Sequence, residues 1–457
     1  MNIKKNINKI YSSFLFIHLF IWVLVPSVSN VNLPLDTIEA LAWGSNLDWG
    51  FSKHPPLSAF FVEVFYYIFG SIDWVYYLLS QIFVLIAFIY VWKLSLEIFN
   101  DKIQALLSVL LLEGVFFYNF TTPEFNVNIS QIPFWALTCY YYWKCLQLNK
   151  KFDWFLFGVF SALGFLSKYL FIYLLISIFL FSIFYFKKNR RLTQNYFLSI
   201  VVSLIILIPH FMWLFENNFI TIFYGVDRSN LDSPELIHHL TNPSFFLFKQ
   251  FIILIPFFLM TISLLTKFQL NIKKVLKKNY FLFSITILPV LLMLVTSIIT
   301  GAKIRTMWMT PFYLFYGTLF IQVYKSNITF KKLKTFTYVF IFFFVLSPSL
   351  YLGVSILDNT KRTDYPGKEI SRLVQNKWND NFINEIKIVV GDEWYAGNLS
   401  YHLASRPSWV NDLKDKSLNI TDNQGVIYTG NPEILKKICP GVFGTIKPVG
   451  YCMIGKR

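Results

Sequence analysis

Long stretches of this chain carry few polar residues. Ile10–Ser27, Phe155–Phe186, Tyr196–Leu214, Phe246–Leu265, Tyr280–Ile299, Met307–Tyr324 and Phe336–Ile356 are the clearest. A bilayer core requires about 20 apolar residues per helical crossing, so each predicts a span, and Phe155–Phe186 predicts two shorter ones. Each must be helical, because lipid offers nothing to an unpaired backbone N–H or C=O. Behind the first run, residues 28–73 are too long for a hairpin between spans. Within them Thr37–Asn46 and Leu57–Phe69 alternate apolar and polar positions near helical spacing and predict short helices lying in the interface plane. The first run also follows lysines as a cleaved signal peptide would, but it is long and aromatic and no A-x-A site follows, which favours a retained span.

The pattern changes near residue 357. Residues 364–382 have a helical period. IKIVVGDEW (386–394) and VIYTG (426–430) are β-branched runs closed by glycine. NPEILKKI (431–438) has Pro at a first helical position. Residues 1–356 are therefore read as a membrane module and 357–457 as a small α/β domain outside it. The expected fold class is an α-helical polytopic membrane protein of about eleven spans, with interfacial helices in the first outer loop.

Composition agrees. Of 457 residues 55% are hydrophobic and only 14% charged, against roughly a quarter charged in soluble domains. The net charge of +16 raises nucleic acid as a partner, but the basic residues fall in short clusters between spans. Lys4, Lys5 and Lys9, then Lys144, Lys150 and Lys151, then Lys187 to Arg191, then Lys267 to Lys278, then Lys325 to Lys334 all land on one side if eleven spans are counted. By the positive-inside rule that side is cytoplasmic, which places the N-terminus inside and the C-terminus outside. Cys439 and Cys452 then lie on the oxidising side, where a bond between them is permitted and is worth about 3 kcal/mol in the chain-entropy model. Cys139 and Cys145 read as packing residues, and no CxxC or HExxH occurs.

Chemistry gathers on the outer side. Asp36 and Glu39 follow the first span three residues apart, so both face one way on a helix. A helix cap, with Asp36 as N-cap and Glu39 at N3, is the competing reading. Lys168, His210, Lys303 and Arg305 lie at outer span ends. Each alone reads as a flanking anchor, but together with the carboxylates they suggest a polar cleft. Lys and Arg suit a phosphate. A sugar transferred outside the cell arrives on a lipid phosphate, which requires cations for the departing phosphate and a carboxylate to take the acceptor's proton.

Several blocks in order carry a resemblance. LDTIEALAWG (35–44), LDWGFSKHPPL (47–57), FNVNISQIPFWAL (125–137), LGFLSKY (163–169), PHFMW (209–213), GAKIRTMWMTP (301–311), YPGKEISRLV and VVGDEWYAGNLSYHLASRPS (389–408) resemble the bacterial membrane glycosyltransferases of the protein-mannosyltransferase type. Their fold is called GT-C, and they include the lipid A aminoarabinose transferases. The resemblance implies a polyprenyl-phosphate-linked sugar donor and a glycolipid, glycan or protein acceptor. It makes Asp36 the candidate base and Glu39 the second acid, positioning the acceptor or a divalent metal. Donor-phosphate contacts are expected from Lys53, His54, Lys168, Lys303 and Arg305. Acceptor or sugar contacts are expected from His210, Asn126, Asn128, Asp392 and Glu393. Two departures stand out: Asp36 is followed by Thr37 where many relatives have adjacent acids, and His54 holds the place before Pro-Pro where the aminoarabinose transferases have Lys. If His54 meets the phosphate, donor affinity should vary with pH near ~6.5. The alternatives are a lipid or solute transporter, which should show paired repeats and broken spans at mid-bilayer, and a receptor or assembly protein using the tail as its binding module.

Overall fold

The computed structural model describes residues 3–186, 190–229, 235–266, 277–324, 328–411 and 424–457. Of the basic clusters, Lys187, Lys188, Lys267, Lys273, Lys274 and Lys325 lie outside the described residues. Among the described residues five helices are long and apolar enough to cross a membrane without interruption: Asn6–Ser29, Asp73–Phe99, Gln194–Glu216, Lys278–Thr300 and Lys331–Leu357. His238–Ile253 and Ile255–Leu264, bent by 52°, make a sixth if counted as one span. Other apolar runs form shorter or more polar helices. Val127–Leu148 carries buried Asn128, Ser130 and Gln131; it can do so because neighbouring helices, not lipid, surround it. Lys331–Leu357 is the opposite case, with only 11% of its most apolar window buried.

Two expected spans are interrupted, and the reason is packing. Lys102–Leu110 gives way to 3-10 turns at Leu111–Gly114 and Phe116–Tyr118, and the run from Met307 becomes helical only at Tyr316–Tyr324. The broken segments pack on each other. The Tyr118 hydroxyl donates to the Thr310 carbonyl at 2.7 Å, and the second segment also meets the uninterrupted helix Asp73–Phe99, where the Ser95 and Thr318 hydroxyls lie 2.9 Å apart. A Cβ on Gly317 would sit 2.5 Å from the Ser108 carbonyl oxygen, so only glycine permits this approach. Irregular backbone at membrane depth is tolerated where it is enclosed by protein like this. The same region holds a buried pair absent from the sequence reading: His18 Nδ1 lies 2.6 Å from Glu113 Oε1, with both side chains at or below 1% exposure.

The C-terminal segment forms a five-stranded sheet of order β2-β1-β3-β5-β4, from β1 (Ile388–Val390), β2 (Ser408–Val410), β3 (Val426–Gly430), β4 (Val442–Ile446) and β5 (Val449–Ile454). β1 runs parallel to β2 and β3, and the β4–β5 hairpin closes antiparallel on β3. Gly391 ends β1 at φ 147°, where a Cβ would collide with Thr429. Cys439 and Cys452 are disulfide-bonded, with Cα atoms 5.6 Å apart. This unit is tied to the membrane module. Its helix Tyr395–His402 packs on the helix Leu35–Gly44. Trp409 N–H donates to Ser45 Oγ at 2.8 Å, Arg406 Nη2 to the Leu41 carbonyl at 2.6 Å, and Tyr401 to Asp73 at 2.7 Å. Strand and helix from 357–457 and helices from 28–73 thus share one hydrophobic core.

Candidate active site

The helix Leu35–Gly44 presents the acids. Its N-cap is Pro34, which makes no side-chain cap, so the capping reading of Asp36 is not what the structure shows. The missing cap comes from elsewhere. Asp36 N–H donates to Glu124 Oε1 at 3.0 Å, and Thr37 Oγ1 donates to the Phe125 carbonyl at 3.1 Å. Glu124 of the loop 119–130 therefore satisfies one orphan backbone donor of this first turn, and the Asp36 side chain lines a cavity.

That cavity measures about 530 Å³ and is lined by Asp36, Glu39, Lys53, His54, Asn128, Lys168, Arg228 and Arg305, with Tyr169, Tyr224 and Trp308 among its walls. Burial raises the Asp36 carboxyl above its ordinary value, and Lys168, Lys53, an Asn126 hydrogen bond and Arg228 only partly offset this. Burial pulls the Lys168 ammonium down to about 7, opposed by Asp36. Lys168 sits in the turn between two helices, 6% exposed, and donates to Asn128 Oδ1 at 2.5 Å. The guanidinium of Arg305 faces Arg228, and its Nε is buried with no hydrogen-bond partner. A buried donor left unpaired beside a like charge is costly, and an anion would satisfy both.

Glu39 is engaged. Lys53 Nζ lies 2.9 Å from Glu39 Oε1 and 3.1 Å from Glu393 Oε1. Burial lowers the Lys53 ammonium, but the two carboxylates more than offset this and leave it raised; burial likewise raises Glu39 despite Lys53. His54 lines the cavity, yet burial and then Lys168, Lys53 and Arg228 push it down to about 3. That environment favours the neutral imidazole.

Other expected contacts have different places. Lys303 is exposed and does not line the cavity; its N–H bonds the Ser229 carbonyl at 2.9 Å. His210 is fully buried, with Nδ1 2.5 Å from the Trp49 carbonyl and Nε2 2.8 Å from the Tyr169 hydroxyl, so both ring nitrogens hold loops together. Asn126 caps Val127–Leu148 through the N–H groups of Asn128 and Ile129 and supports Asp36. Asp392 accepts from the N–H groups of Trp394 and Tyr395 at 2.8 and 2.7 Å, a turn at the head of the helix Tyr395–His402. Among the described residues no group of three or more His, Cys, Asp and Glu side chains is placed to hold a metal ion.

Two residues were missed. Glu124 is the only charged residue of 119–130, and Arg228 the only Lys or Arg of 215–245; that isolation between apolar runs was the available signal. Burial, then Asp36, pushes Glu124 up to about 8.

No curated protein matches the sequence. Residues 53–213 match the family described as dolichyl-phosphate-mannose-protein mannosyltransferase. The fold is similar to that of ArnT from Cupriavidus metallidurans bound to undecaprenyl phosphate, at TM-score 0.68 and 11% identity over 96% of this chain and 97% of that one. It is similar also to the apo state of that protein, at TM-score 0.64 and 10% identity over 96% and 98%. Residues 53–213 thus match a protein-mannosyltransferase model, and the chain as a whole has an ArnT-like fold.

Proposed function

We propose that this chain is an inner-membrane glycosyltransferase that moves a hexosyl or pentosyl group from a polyprenyl-phosphate donor to an acceptor at the periplasmic face. The observation that carries the reading is the single cavity joining Asp36 to Lys168, Arg228 and Arg305, with Arg305 Nε buried and unpaired. ArnT, whose fold this chain shares, has been crystallised with undecaprenyl phosphate, and a lipid phosphate is an anion of the kind that the cations of this cavity suit. The outward orientation rests on the distribution of lysines between spans.

In this reading the donor phosphate lies against Lys168, Arg228 and Arg305, with Lys53 behind them. The acceptor hydroxyl attacks the anomeric carbon while its proton passes to the Asp36 carboxylate. The bond from the anomeric carbon to the phosphate oxygen breaks, and its electron pair leaves on the phosphate. Attack and departure on opposite faces invert the anomeric centre. A carboxylate whose pKa is raised by burial is a better proton acceptor than a free one, and donors fixed before reaction stabilise the departing charge without reorganisation. Glu39, Glu393 and Lys53 form a chain of ion pairs that fixes the loop 50–56 against the catalytic helix.

The test is Asp36→Asn. Transfer should fall by about 10²–10⁴-fold, read as loss of one sugar mass from envelope glycolipids or glycoproteins, while purified protein still binds undecaprenyl phosphate. Turnover near that of the unaltered chain would remove Asp36 as the base.

A further inference from the structure

Two ionisable side chains deep in the membrane module take no part in the proposed reaction. His18 sits midway along the span Asn6–Ser29, about 16 Å from Ser29 at a rise of about 1.5 Å per residue. Glu113 lies in the 3-10 turn Leu111–Gly114. Their 2.6 Å contact is fully enclosed. An ionisable pair is costly to bury, and one inside the membrane marks a functional site by default.

A path of hydrogen bonds leads from this pair to the helix Leu35–Gly44. Asn119 Nδ2 donates to the Glu113 carbonyl at 2.8 Å and, at 3.5 Å, to Glu113 Oε2. The Asn119 carbonyl accepts the N–H and the hydroxyl of Thr122, at 2.9 and 2.6 Å. Beyond Thr122, Glu124 Oε1 accepts the N–H of Asp36, and the Phe125 carbonyl accepts the Thr37 hydroxyl. Neutral side chains of two other helices steady the middle of the path. Gln81 Nε2 donates to Thr122 Oγ1 at 2.8 Å, and the Ser347 hydroxyl to Asn119 Oδ1 at 3.1 Å.

We infer that His18 and Glu113 are positioning residues for Asp36. The first span ends at Ser29 and the helix Leu35–Gly44 follows after a short connection, so one stretch of chain carries both His18 and Asp36. The facing stretch, 113–125, carries both of their partners. It is built of 3-10 turns and loop, so no continuous helical ladder fixes its place, and the contacts at its two ends do. His18–Glu113 pins the deep end and Asp36–Glu124 the far end. A bond between two ionisable groups in a low-dielectric surround is stronger than in water, so the deep contact sets how far 113–125 reaches along the first span. The far contact then sets the first turn of the helix, and with it the Asp36 carboxyl. Displacing a reacting group by about 1 Å can cost about 100-fold in rate. Lys168, Arg228 and Arg305 come from other segments, so donor binding does not depend on the pair.

The catalytic half of this inference rests on the proposed transfer reaction; the structural half does not, and the experiment separates them. The double variant His18→Leu/Glu113→Leu is compared with each single variant and with His18→Asn, whose amide nitrogen takes the place of Nδ1 as donor. Thermal unfolding, deuterium exchange at the Asp36 amide and undecaprenyl phosphate binding are measured on purified full-length chain in detergent. Transfer is read as sugar mass on envelope lipids and proteins, per amount of chain, in cells lacking the unaltered one. Each single leucine variant should unfold earlier. The double variant should recover part of that loss, because an apolar pair replaces a buried ionisable pair at little cost. It should still exchange the Asp36 amide about tenfold or more faster and transfer about tenfold or more slowly, with donor affinity within about twofold. His18→Asn should retain most of the transfer. Transfer that returns together with stability in the double variant would reduce the pair to packing and overturn the inference. So would an unchanged Asp36 exchange rate, or donor affinity falling in parallel with transfer. If the unaltered chain leaves no sugar mass, it is the transferase reading that fails, and exchange at the Asp36 amide still decides whether the pair positions that residue.

Discussion

Lys168 offers the sharpest test of the donor site. Its burial in the turn after Ser167 brings the ammonium from an ordinary 10.5 to about 7, which corresponds to about 5 kcal/mol against the charged form. Deprotonated, it cannot hold a phosphate. A phosphate entering the cavity supplies the counter-charge and returns the pKa toward its ordinary value. The sign follows. Below pH 7 the lysine is already charged and donor binding requires no proton. Above pH 7 binding must recruit one, so affinity falls by up to tenfold per pH unit, or roughly 100-fold between pH 7 and 9. The window avoids the phosphate's own ionisation near ~6. The assay is undecaprenyl phosphate binding by the purified protein in detergent across pH 7–9. Lys168→Met removes a charge-assisted contact and should weaken binding at pH 7 by about 10- to 100-fold, and it should abolish the slope. Lys168→Arg, which stays protonated, should bind with little slope. A flat profile in the unaltered protein, or an unchanged slope in Lys168→Met, would refute the placement of this ammonium on the phosphate.

Arg228→Ala and Arg305→Ala should each weaken donor binding about tenfold or more, whereas Lys303→Ala, outside the cavity, should stay within about twofold; equal losses at all three would mean a diffuse field instead of a built site. Removing one partner of the buried His18–Glu113 pair, by His18→Leu or Glu113→Leu, should cost about 3–5 kcal/mol, read as earlier thermal unfolding in detergent, and the double variant should recover part of it. Cys439→Ser should lower the stability of the C-terminal unit by about 3 kcal/mol under oxidising conditions only, measured by limited proteolysis of 357–457; the same loss under reducing conditions would point to packing instead of the bond.

Much of this was legible because the physics involved is local. Apolar runs mark helices in lipid, since each span satisfies its own backbone, and β-branched runs ending in glycine marked β1 and β3. The strands Ser408–Val410, Val442–Ile446 and Val449–Ile454 gave no comparable pattern, because a strand of three to six residues is specified by its neighbours in the sheet. The run Met307–Tyr324 read as continuous although it becomes helical only at Tyr316, because it is as apolar as lipid demands and its irregular part is enclosed by other segments of the protein.

The site divides the same way. The sequence by itself determined that acids and bases would gather beyond the first span, because charge is excluded from the bilayer and must collect at its borders. Only the tertiary structure decided which of them meet. It placed Glu124 as the cap of the helix Leu35–Gly44, brought Arg228 into the cavity in place of Lys303, turned His210 inward between two loops, and tied Glu393 to Lys53. Those choices depend on contacts between segments up to several hundred residues apart, and neither spacing nor composition records which distant side chain will arrive to satisfy a buried charge.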